Sequence, residues 1–217
     1  KAIKPDSTFM GNHSDRGFVS DYADLINVDN QSRQEHTPLW FVGERGKKMR
    51  ALTQGRIPYF HIFSTNSYSR HVAKPEAEHR LYIADALLAD SRPWFTIIGG
   101  IQLDKRQFAP LAAMYQWHHQ HEQYFRDRQS LAQVAIVYSD RDRFFPRVQM
   151  RDHAFKGMYY ALLRNRVAFD LVHVARMQPE ILKSYQLVIL PDAAAMTEDE
   201  AANIRKFVER GGSVIAT

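Results

Sequence analysis

A carboxylate and three hydrogen-bonding side chains stand together directly after the apolar run at residues 24–28. The acid is Asp29, and Asn30, Gln31 and Arg33 carry the amide and guanidinium groups beside it. A carboxylate at the end of a strand can serve as a general acid or base, while amides and a guanidinium orient a polar ligand. The same composition also fits an Asp- and Asn-rich turn that closes a strand without binding anything.

A second polar group follows the apolar run 57–63 at the equivalent place. Ser64 and Asn66 are among its hydrogen-bonding members, and they either bind a ligand or form an ordinary loop. His61 lies within the run itself. A histidine on an apolar strand is usually a hydrogen-bonded interior residue, although it could also reach a ligand from inside the sheet.

Three histidines and a glutamate are concentrated in one predicted helix, at His118, His119, His121 and Glu122. Spacings of three and four place His118, His121 and Glu122 at neighbouring helical positions. Such a group could bind a metal ion, but no second set of ligands accompanies it. A solvated helix face is therefore favoured, and neither a metal nor another cofactor is predicted.

The elements that position these residues alternate between strands and helices. In the first part of the chain we predict strands at 24–28, 57–63 and 94–98 and helices at 39–54, 76–89 and 111–125. This alternation indicates parallel strands joined by helices, and such folds bind ligands beyond the carboxyl ends of their strands. Asp29 and Ser64 are expected at those ends.

The second part of the chain has the same alternation with sharper boundaries. Strands are predicted at 134–138, 169–174, 187–190 and 213–216, and helices at 152–166, from Met177 and from Glu198. Thr197 and Glu200 have the spacing of a capping box, which begins the last helix. Gly211 and Gly212 predict a left-handed conformation at its end.

A polar, charged stretch at 126–130 separates the two parts, which predicts domains at 1–130 and 131–217. Three strand–helix units are too few to close a barrel. The last strand, 213–216, is followed by no helix that would cover it. We therefore expect the chain to be truncated at both ends.

Several runs on both sides of the junction match a known pattern. In the first part they are Lys74 with Pro75, the helix with Arg80, Leu81 and Ala84, a strand ending near Gly100, and Tyr115 with Glu122. In the second part they are 134–139, 157–162, Phe169 with Asp170, Leu182 with Tyr185, 187–191 and 211–217. Together these runs, which cover most of residues 57–217, resemble family 42 of the glycoside hydrolases, to which β-galactosidases belong.

The resemblance implies an α/β fold: the C-terminal part of a (β/α)8 TIM barrel, then a doubly wound, glutamine-amidotransferase-like (flavodoxin-like) domain that serves for trimerisation. It implies a carbohydrate substrate, hydrolysis of O-glycosidic bonds and a homo-oligomer such as a trimer. At the top of such a barrel Asp29 becomes the candidate catalytic residue. The candidate substrate-binding residues are Asn30, Gln31, Arg33, His61, Ser64 and Asn66.

The chain departs from the family at the catalytic pair. The family uses an acid/base glutamate after the fourth barrel strand, which would precede Lys1, and a nucleophilic glutamate at the end of the seventh. The seventh strand corresponds to 58–64, where residues 61–64 contain no carboxylate. Retaining hydrolysis needs two carboxylates about 5 Å apart. The alternatives are a divergent glycosidase that uses Asp29 or other acids, a non-hydrolytic sugar-binding or oligomerisation scaffold, and a regulator built on the wound domain.

Composition limits the remaining functions. The 217 residues include no cysteine, which excludes disulfides, zinc–thiolate sites and the cysteine nucleophile of glutamine amidotransferases. The net charge is +5, but 29 basic and 24 acidic residues are interspersed, so nucleic acid is not a predicted partner. No apolar run approaches the ~20 residues that cross a bilayer, and residues 1–20 have no signal-peptide core. No membrane partner is predicted, and the cytoplasm is favoured although the compartment is not fixed.

Overall fold

The computed structural model divides the chain into two compact units, Lys1–Arg128 and Gln129–Thr217. It describes residues 4, 6–12, 17–29, 37–54, 59–64, 72–97, 101–141, 148–193 and 195–217, and the side chains of these residues except those of 17, 18, 64 and 148–152. The division falls two residues before the end of the predicted first domain. In its described part each unit contains a parallel sheet.

The N-terminal unit alternates between strands and helices. Its elements are α1 (Gly17–Ser20), β1 (Ile26–Asp29), α2 (Phe41–Thr53), β2 (Tyr59–Ser64), α3 (Glu76–Leu88), β3 (Arg92–Thr96) and α4 (Phe108–Gln120), with a 3-10 turn at Glu122–Phe125. The strands are parallel and lie in the order β1-β2-β3. The predicted α/β alternation of this part is confirmed in the described residues.

Some boundaries differ from the predicted ones. Asp29 is the last residue of β1, not the first residue after it, and β3 begins and ends two residues earlier than predicted. Helix α4 begins at Phe108, three residues before the predicted start. Pro110 is compatible with this earlier start, because a proline in the first turn of a helix removes no intrahelical hydrogen bond.

Helices α2 and α3 cover one face of the N-terminal sheet. The buried side chains between them and the strands form two clusters, which include Ile26, Val28, Tyr59 and Phe63 from the strands and Met49, Leu52, Tyr82 and Ile83 from the helices. The hydroxyl of Tyr59 also donates a 2.7 Å hydrogen bond to the carbonyl of Ala89, at the end of α3. Apolar burial and this bond fix the helices on the sheet.

The approach of α2 to the end of α3 requires a glycine. A Cβ atom at position 46 would lie 2.4 Å from the Cβ of Ala89, far inside van der Waals contact. Glycine in a helix interior is otherwise unfavourable because it loses the most backbone entropy on folding. The close contact therefore explains why Gly46 stands in the middle of α2.

Tyr115 attaches α4 to β3. Its hydroxyl accepts a hydrogen bond from the backbone N–H of Phe95 and donates one to the carbonyl of Pro93, each at 3.1 Å. Burial raises the pKa of Tyr115 to about 12, so the phenol keeps the proton that it donates. The two bonds satisfy backbone groups of β3 that point away from β2.

The C-terminal unit is a second sheet with helices. Its elements are β4 (Val134–Tyr138), α5 (Val148–Arg164), β5 (Phe169–His173), a 3-10 turn at Val174–Arg176, α6 (Pro179–Leu182), β6 (Leu187–Leu190), α7 (Glu198–Glu209) and β7 (Ser213–Ala216). All strands are parallel, and their order is β5-β4-β6-β7. The four predicted strands are confirmed. No helix in the described ranges is long and apolar enough to span a membrane.

Helix α7 has both predicted end signals. The hydroxyl of Thr197 accepts from the backbone N–H of Glu200, and the Glu200 carboxylate accepts from the N–H of Thr197 at 2.8 Å, which completes the capping box. At the other end Gly211 has a φ of 93°, the left-handed region that favours glycine. The capping box also fixes the position of the Glu200 side chain.

We expect Gly46→Ala to lower the free energy of unfolding by about 1–3 kcal/mol, because the new methyl group overlaps Ala89. Urea denaturation followed by far-UV circular dichroism measures the loss. The double variant Gly46→Ala/Ala89→Gly moves the methyl group from one side of the contact to the other and should recover most of the stability. A single variant as stable as the wild type would contradict the close contact.

Candidate functional site

The strands of the N-terminal sheet turn alternate side chains to opposite faces. One set packs in the core formed with α2 and α3. The other face, which is turned away from α2 and α3, is called the far face. The strand register places the following residues on it: Asn27, Asp29, Phe60, Ile62, Ser64, Arg92, Trp94 and Thr96. Its carboxyl edge is where a parallel α/β sheet binds its ligands.

Asp29 is the acidic residue of the far face. It is half-buried at the carboxyl end of β1 and stands in one row with Ile62 of β2 and Trp94 of β3. Neighbouring strands are about 4.8 Å apart, so the Cα atoms of Asp29 and Trp94 are separated by about 10 Å. A carboxylate and an indole therefore flank Ile62 at this edge.

Trp94 was not among the residues proposed from the sequence. Its side chain is 43% exposed although it is large and aromatic, and its ring meets that of Phe60 edge to face, with 6.1 Å between centroids. The alternation of β3 was a signal that could have separated Trp94 from its neighbour Phe95. Placing it in the row of Asp29 required the register of all three strands.

The other predicted binding residues are only partly described. Ser64 ends β2 and is paired with Thr96 of β3, one row nearer the carboxyl edge than Ile62 and Trp94. Asn30, Gln31, Arg33 and Asn66 lie outside the described residues, so their roles stay predictions.

His61 is placed on the opposite face from Asp29. It is paired with Val28, is 1% exposed, and its ring lies 6.4 Å from that of Phe41 in α2. Burial, assisted by the charge of Arg45, lowers the pKa of His61 to about 3, so the imidazole is neutral near pH 7. We correct its assignment as a substrate-binding residue, because strand alternation turns it toward the helices.

The carboxyl end of β2 carries no acid. None of the residues Tyr59–Ser64 is a carboxylate. The sequence contains no Asp or Glu between Glu44 and Glu76, so the segment that follows β2 supplies none either. A nucleophilic carboxylate from this strand or the loop after it is therefore excluded.

The histidines at the end of α4 make local contacts. The ring of His121 stacks on Trp117 at 4.9 Å, and its Nδ1 lies 2.7 Å from the Trp117 carbonyl. Glu122 forms a 2.8 Å ion pair with Arg126. In the part of the chain that the structure describes, no three His, Cys, Asp or Glu side chains are placed to hold a metal ion together.

An ion pair lies at the carboxyl edge of the second sheet. Arg141, after β4, donates hydrogen bonds of 2.7 and 2.8 Å to the two carboxylate oxygens of Glu200 in α7, and it also reaches the carbonyl of Ala195. The pair joins the segments that follow β4 and β6. Between these two strands the chain order reverses, and this is where open α/β sheets bind ligands. Here the position is occupied by a structural contact.

The protonation of Glu200 fits this structural role. Burial alone would raise the pKa of Glu200, but the hydrogen bonds from Arg141 and Thr197 outweigh burial and hold the pKa below its ordinary value. The carboxylate is therefore charged near pH 7, and Arg141 is the cation that compensates it.

A family model matches the second unit. Residues 132–217 match the model of the β-galactosidase trimerisation domain family. The resemblance to family 42 β-galactosidases stated from the sequence is confirmed by this match and by the fold. This family match does not extend to the N-terminal unit.

Two solved structures share the fold of the whole chain. A β-galactosidase from Bacillus circulans sp. alkalophilus matches with a TM-score of 0.80 and 20% identity, over 100% of this chain and 36% of that one. The α-L-fucosidase isoenzyme 2 from Paenibacillus thiaminolyticus matches with a TM-score of 0.69 and 18% identity, over 99% of this chain and 33% of that one. No curated protein sequence matches the chain.

The chain spans about a third of the length of these two structures. At such identities the likeness establishes the fold, an α/β protein with parallel sheets similar to a β-galactosidase. One of the two proteins is a galactosidase and the other a fucosidase, so the shared fold does not specify the sugar.

We expect Glu200→Gln to lower the free energy of unfolding by about 1–2 kcal/mol near pH 7, because it removes the charge that Arg141 compensates. A carboxyl group whose pKa is lower in the folded state stabilises the protein above its unfolded pKa. The stabilisation by the Glu200 charge is complete above about pH 4.5, the ordinary pKa of Glu. It is lost as the pH falls from there through the lower pKa of Glu200 in the folded protein.

Calorimetry between pH 3 and pH 7 should show the melting temperatures of the wild type and Glu200→Gln converging toward low pH. Glu198→Gln is the matched control, because Glu198 is an exposed acid in the same helical turn. Its effect should be smaller. A difference for Glu200→Gln that does not change with pH would contradict the role of its charge.

Proposed function

We propose that this chain belongs to a glycoside hydrolase-like protein that hydrolyses an O-glycosidic bond at the carboxyl edge of the far face. The row of Asp29, Ile62 and Trp94 carries the proposal, since it lies at the binding edge of a fold shared with two glycosidases. A carboxylate is the group that glycoside hydrolysis uses as acid, base or nucleophile. The exposed indole offers a flat surface for the apolar face of a sugar ring.

The strand order supports the proposal that residues 1–130 are the C-terminal part of a (β/α)8 barrel. The strands β1, β2 and β3 are parallel and adjacent in chain order, with α2 and α3 packed on one face. A barrel places its strands in chain order with its helices outside, whereas a doubly wound sheet reverses the order. In this arrangement the far face is the barrel interior, and Asp29 lies at the catalytic end.

We propose that residues 131–217 form a domain of the glutamine-amidotransferase-like, flavodoxin-like type that assembles the protein into a homo-oligomer. The order β5-β4-β6-β7 corresponds to the first four strands of the flavodoxin-like order 2-1-3-4-5. The trimerisation-domain match at 132–217 supports the oligomer. The chain has no cysteine nucleophile for amidotransferase chemistry, and the Arg141–Glu200 ion pair lies at the edge where open α/β sheets bind ligands.

Hydrolysis at Asp29 requires a second carboxylate. Retaining enzymes hold the two groups about 5–5.5 Å apart, and inverting enzymes about 6.5–9.5 Å apart, with a water between base and sugar. β2 and the loop after it supply no acid, so the partner of Asp29 belongs to another part of the barrel. In this scheme Asp29 is one member of the pair and Trp94 positions the sugar between them.

A non-hydrolytic sugar-binding protein is the second candidate. The observation that favours it is the lack of any Asp or Glu from the start of β2 to the start of α3. In this alternative the far face keeps Trp94 and the polar groups of the edge as a binding surface. Asp29 then accepts hydrogen bonds from sugar hydroxyls without taking part in bond cleavage.

We expect Asp29→Asn to lower kcat at least about 100-fold on chromogenic galactosides or fucosides, because it removes the acid–base or nucleophilic group while keeping its shape. The protein should be assayed at its full natural length. Asp85→Asn is the matched control: Asp85 is on α3, in the layer of helices, and burial raises its pKa to about 6. This variant should keep wild-type turnover.

Binding separates the two candidates. Trp94→Ala should weaken saccharide binding, measured by calorimetry, about tenfold or more in either case, because both use the indole surface. Binding without turnover in the wild type would support the non-hydrolytic candidate. Turnover that survives unchanged in Asp29→Asn would contradict the role of Asp29, and the absence of both binding and turnover would contradict the proposed site.

A further inference from the structure

Helix α5 of the C-terminal unit has two distinct faces. The inner face packs on the sheet through Phe155 and Tyr159, which are 6% and 1% exposed. The opposite stripe is exposed along the helix and consists of His153, Gly157, Tyr160, Ala161 and Arg164, spaced by three and four residues. This stripe is called the outer face of α5.

No contact among the described residues explains Gly157. It lies inside a helix of 17 residues, where glycine is less favourable than alanine. A Cβ atom at this position would meet no heavy atom within 4 Å among the described residues, in contrast to Gly46. The space that Gly157 leaves open is therefore on the outside of the unit, and Ala161 extends it by one turn.

A tyrosine and an arginine lie next to this opening on the helix surface. Tyr160 is 45% exposed, and the guanidinium of Arg164 lies 5.9 Å from the centre of its ring, which restrains the ring on the helix surface. Leu163 and Val167, farther along the chain, are 38% and 39% exposed. Exposed tyrosine and arginine side chains are enriched in protein–protein contacts.

We propose that the outer face of α5 is a contact between subunits and that its occupant is a second copy of this chain. The inference rests on the proposed homo-oligomer and locates its interface, because α5 lies within the segment that matches a trimerisation domain. A close approach of the neighbouring copy at Gly157 accounts for a glycine that no contact among the described residues of the unit requires.

The unit carries opposite charges on two separate helices. A closed ring of three copies places one face of each subunit against a different face of the next. The outer side of α5 presents basic groups, Lys156 and Arg164, while the first turn of α7 presents the exposed acids Glu198 and Asp199. The unit thus carries a basic face and an acidic turn on separate elements.

The test measures the dissociation constant of the oligomer by sedimentation velocity over a dilution series of the full chain. Gly157→Leu fills the groove and should raise the dissociation constant at least about tenfold. Ala77→Leu is the matched control, since Ala77 is exposed on α3 of the other unit, and it should leave the constant unchanged.

Gly157→Ala separates assembly from folding. Alanine is the better helix former, so the melting temperature of the dissociated chain should rise by about 2–4 °C, while the dissociation constant increases because the methyl group intrudes into the contact. Wild-type assembly in both Gly157 variants, from a wild type that does associate, would overturn the α5 contact alone. A wild type that stays monomeric at every concentration would overturn the homo-oligomer itself.

Discussion

Side-chain alternation along the parallel strands is the constraint on which the N-terminal unit depends. Successive residues point to opposite faces, so each strand must present an apolar set to the helices and leaves a second set for other uses. In β2 the set of Tyr59, His61 and Phe63 lies under α2 and α3, and Ile62 lies on the far face. Burial of the first set fixes which residues are free to line a site.

The carboxyl edges of the two sheets have opposite characters, although both sheets are parallel. At the first sheet a carboxylate and a partly exposed indole remain, on Asp29 and Trp94. At the second sheet the corresponding position is filled by Arg141 and Glu200, whose two hydrogen bonds neutralise both charges. The first edge therefore keeps polar and aromatic groups for a ligand, whereas the corresponding position of the second edge holds a contact within the unit.

Helix ends show why local sequence predicts some features and misses others. Gly211 was predicted at a left-handed position, because glycine adopts it without strain. Asp90 and Arg166 adopt the same conformation after α3 and α5. In each case the backbone N–H of the next residue donates a hydrogen bond to a carbonyl of the helix: Ser91 to Ala86, and Val167 to Leu162. Nothing in the identity of Arg166 signals this conformation, because the surrounding hydrogen bonds impose it.

The candidate site was predictable in part. Asp29 was identified because an acid directly after an apolar run is visible in the sequence, and the missing carboxylate of β2 was visible for the same reason. His61 was assigned wrongly and Trp94 was overlooked, since both depend on the face to which a strand residue points. That face is set by the packing of α2 against the sheet and by strand register, which are contacts between distant segments.

By itself the sequence determined the order of strands and helices, the capping box of α7 and the lack of an acid after β2, because these follow from local periodicity and residue identity. Only the tertiary structure decided that Asp29, Ile62 and Trp94 share a row and that Arg141 meets Glu200. These pairs are 32 to 65 positions apart in the chain, where strand register and helix packing, not neighbouring residues, fix the contacts.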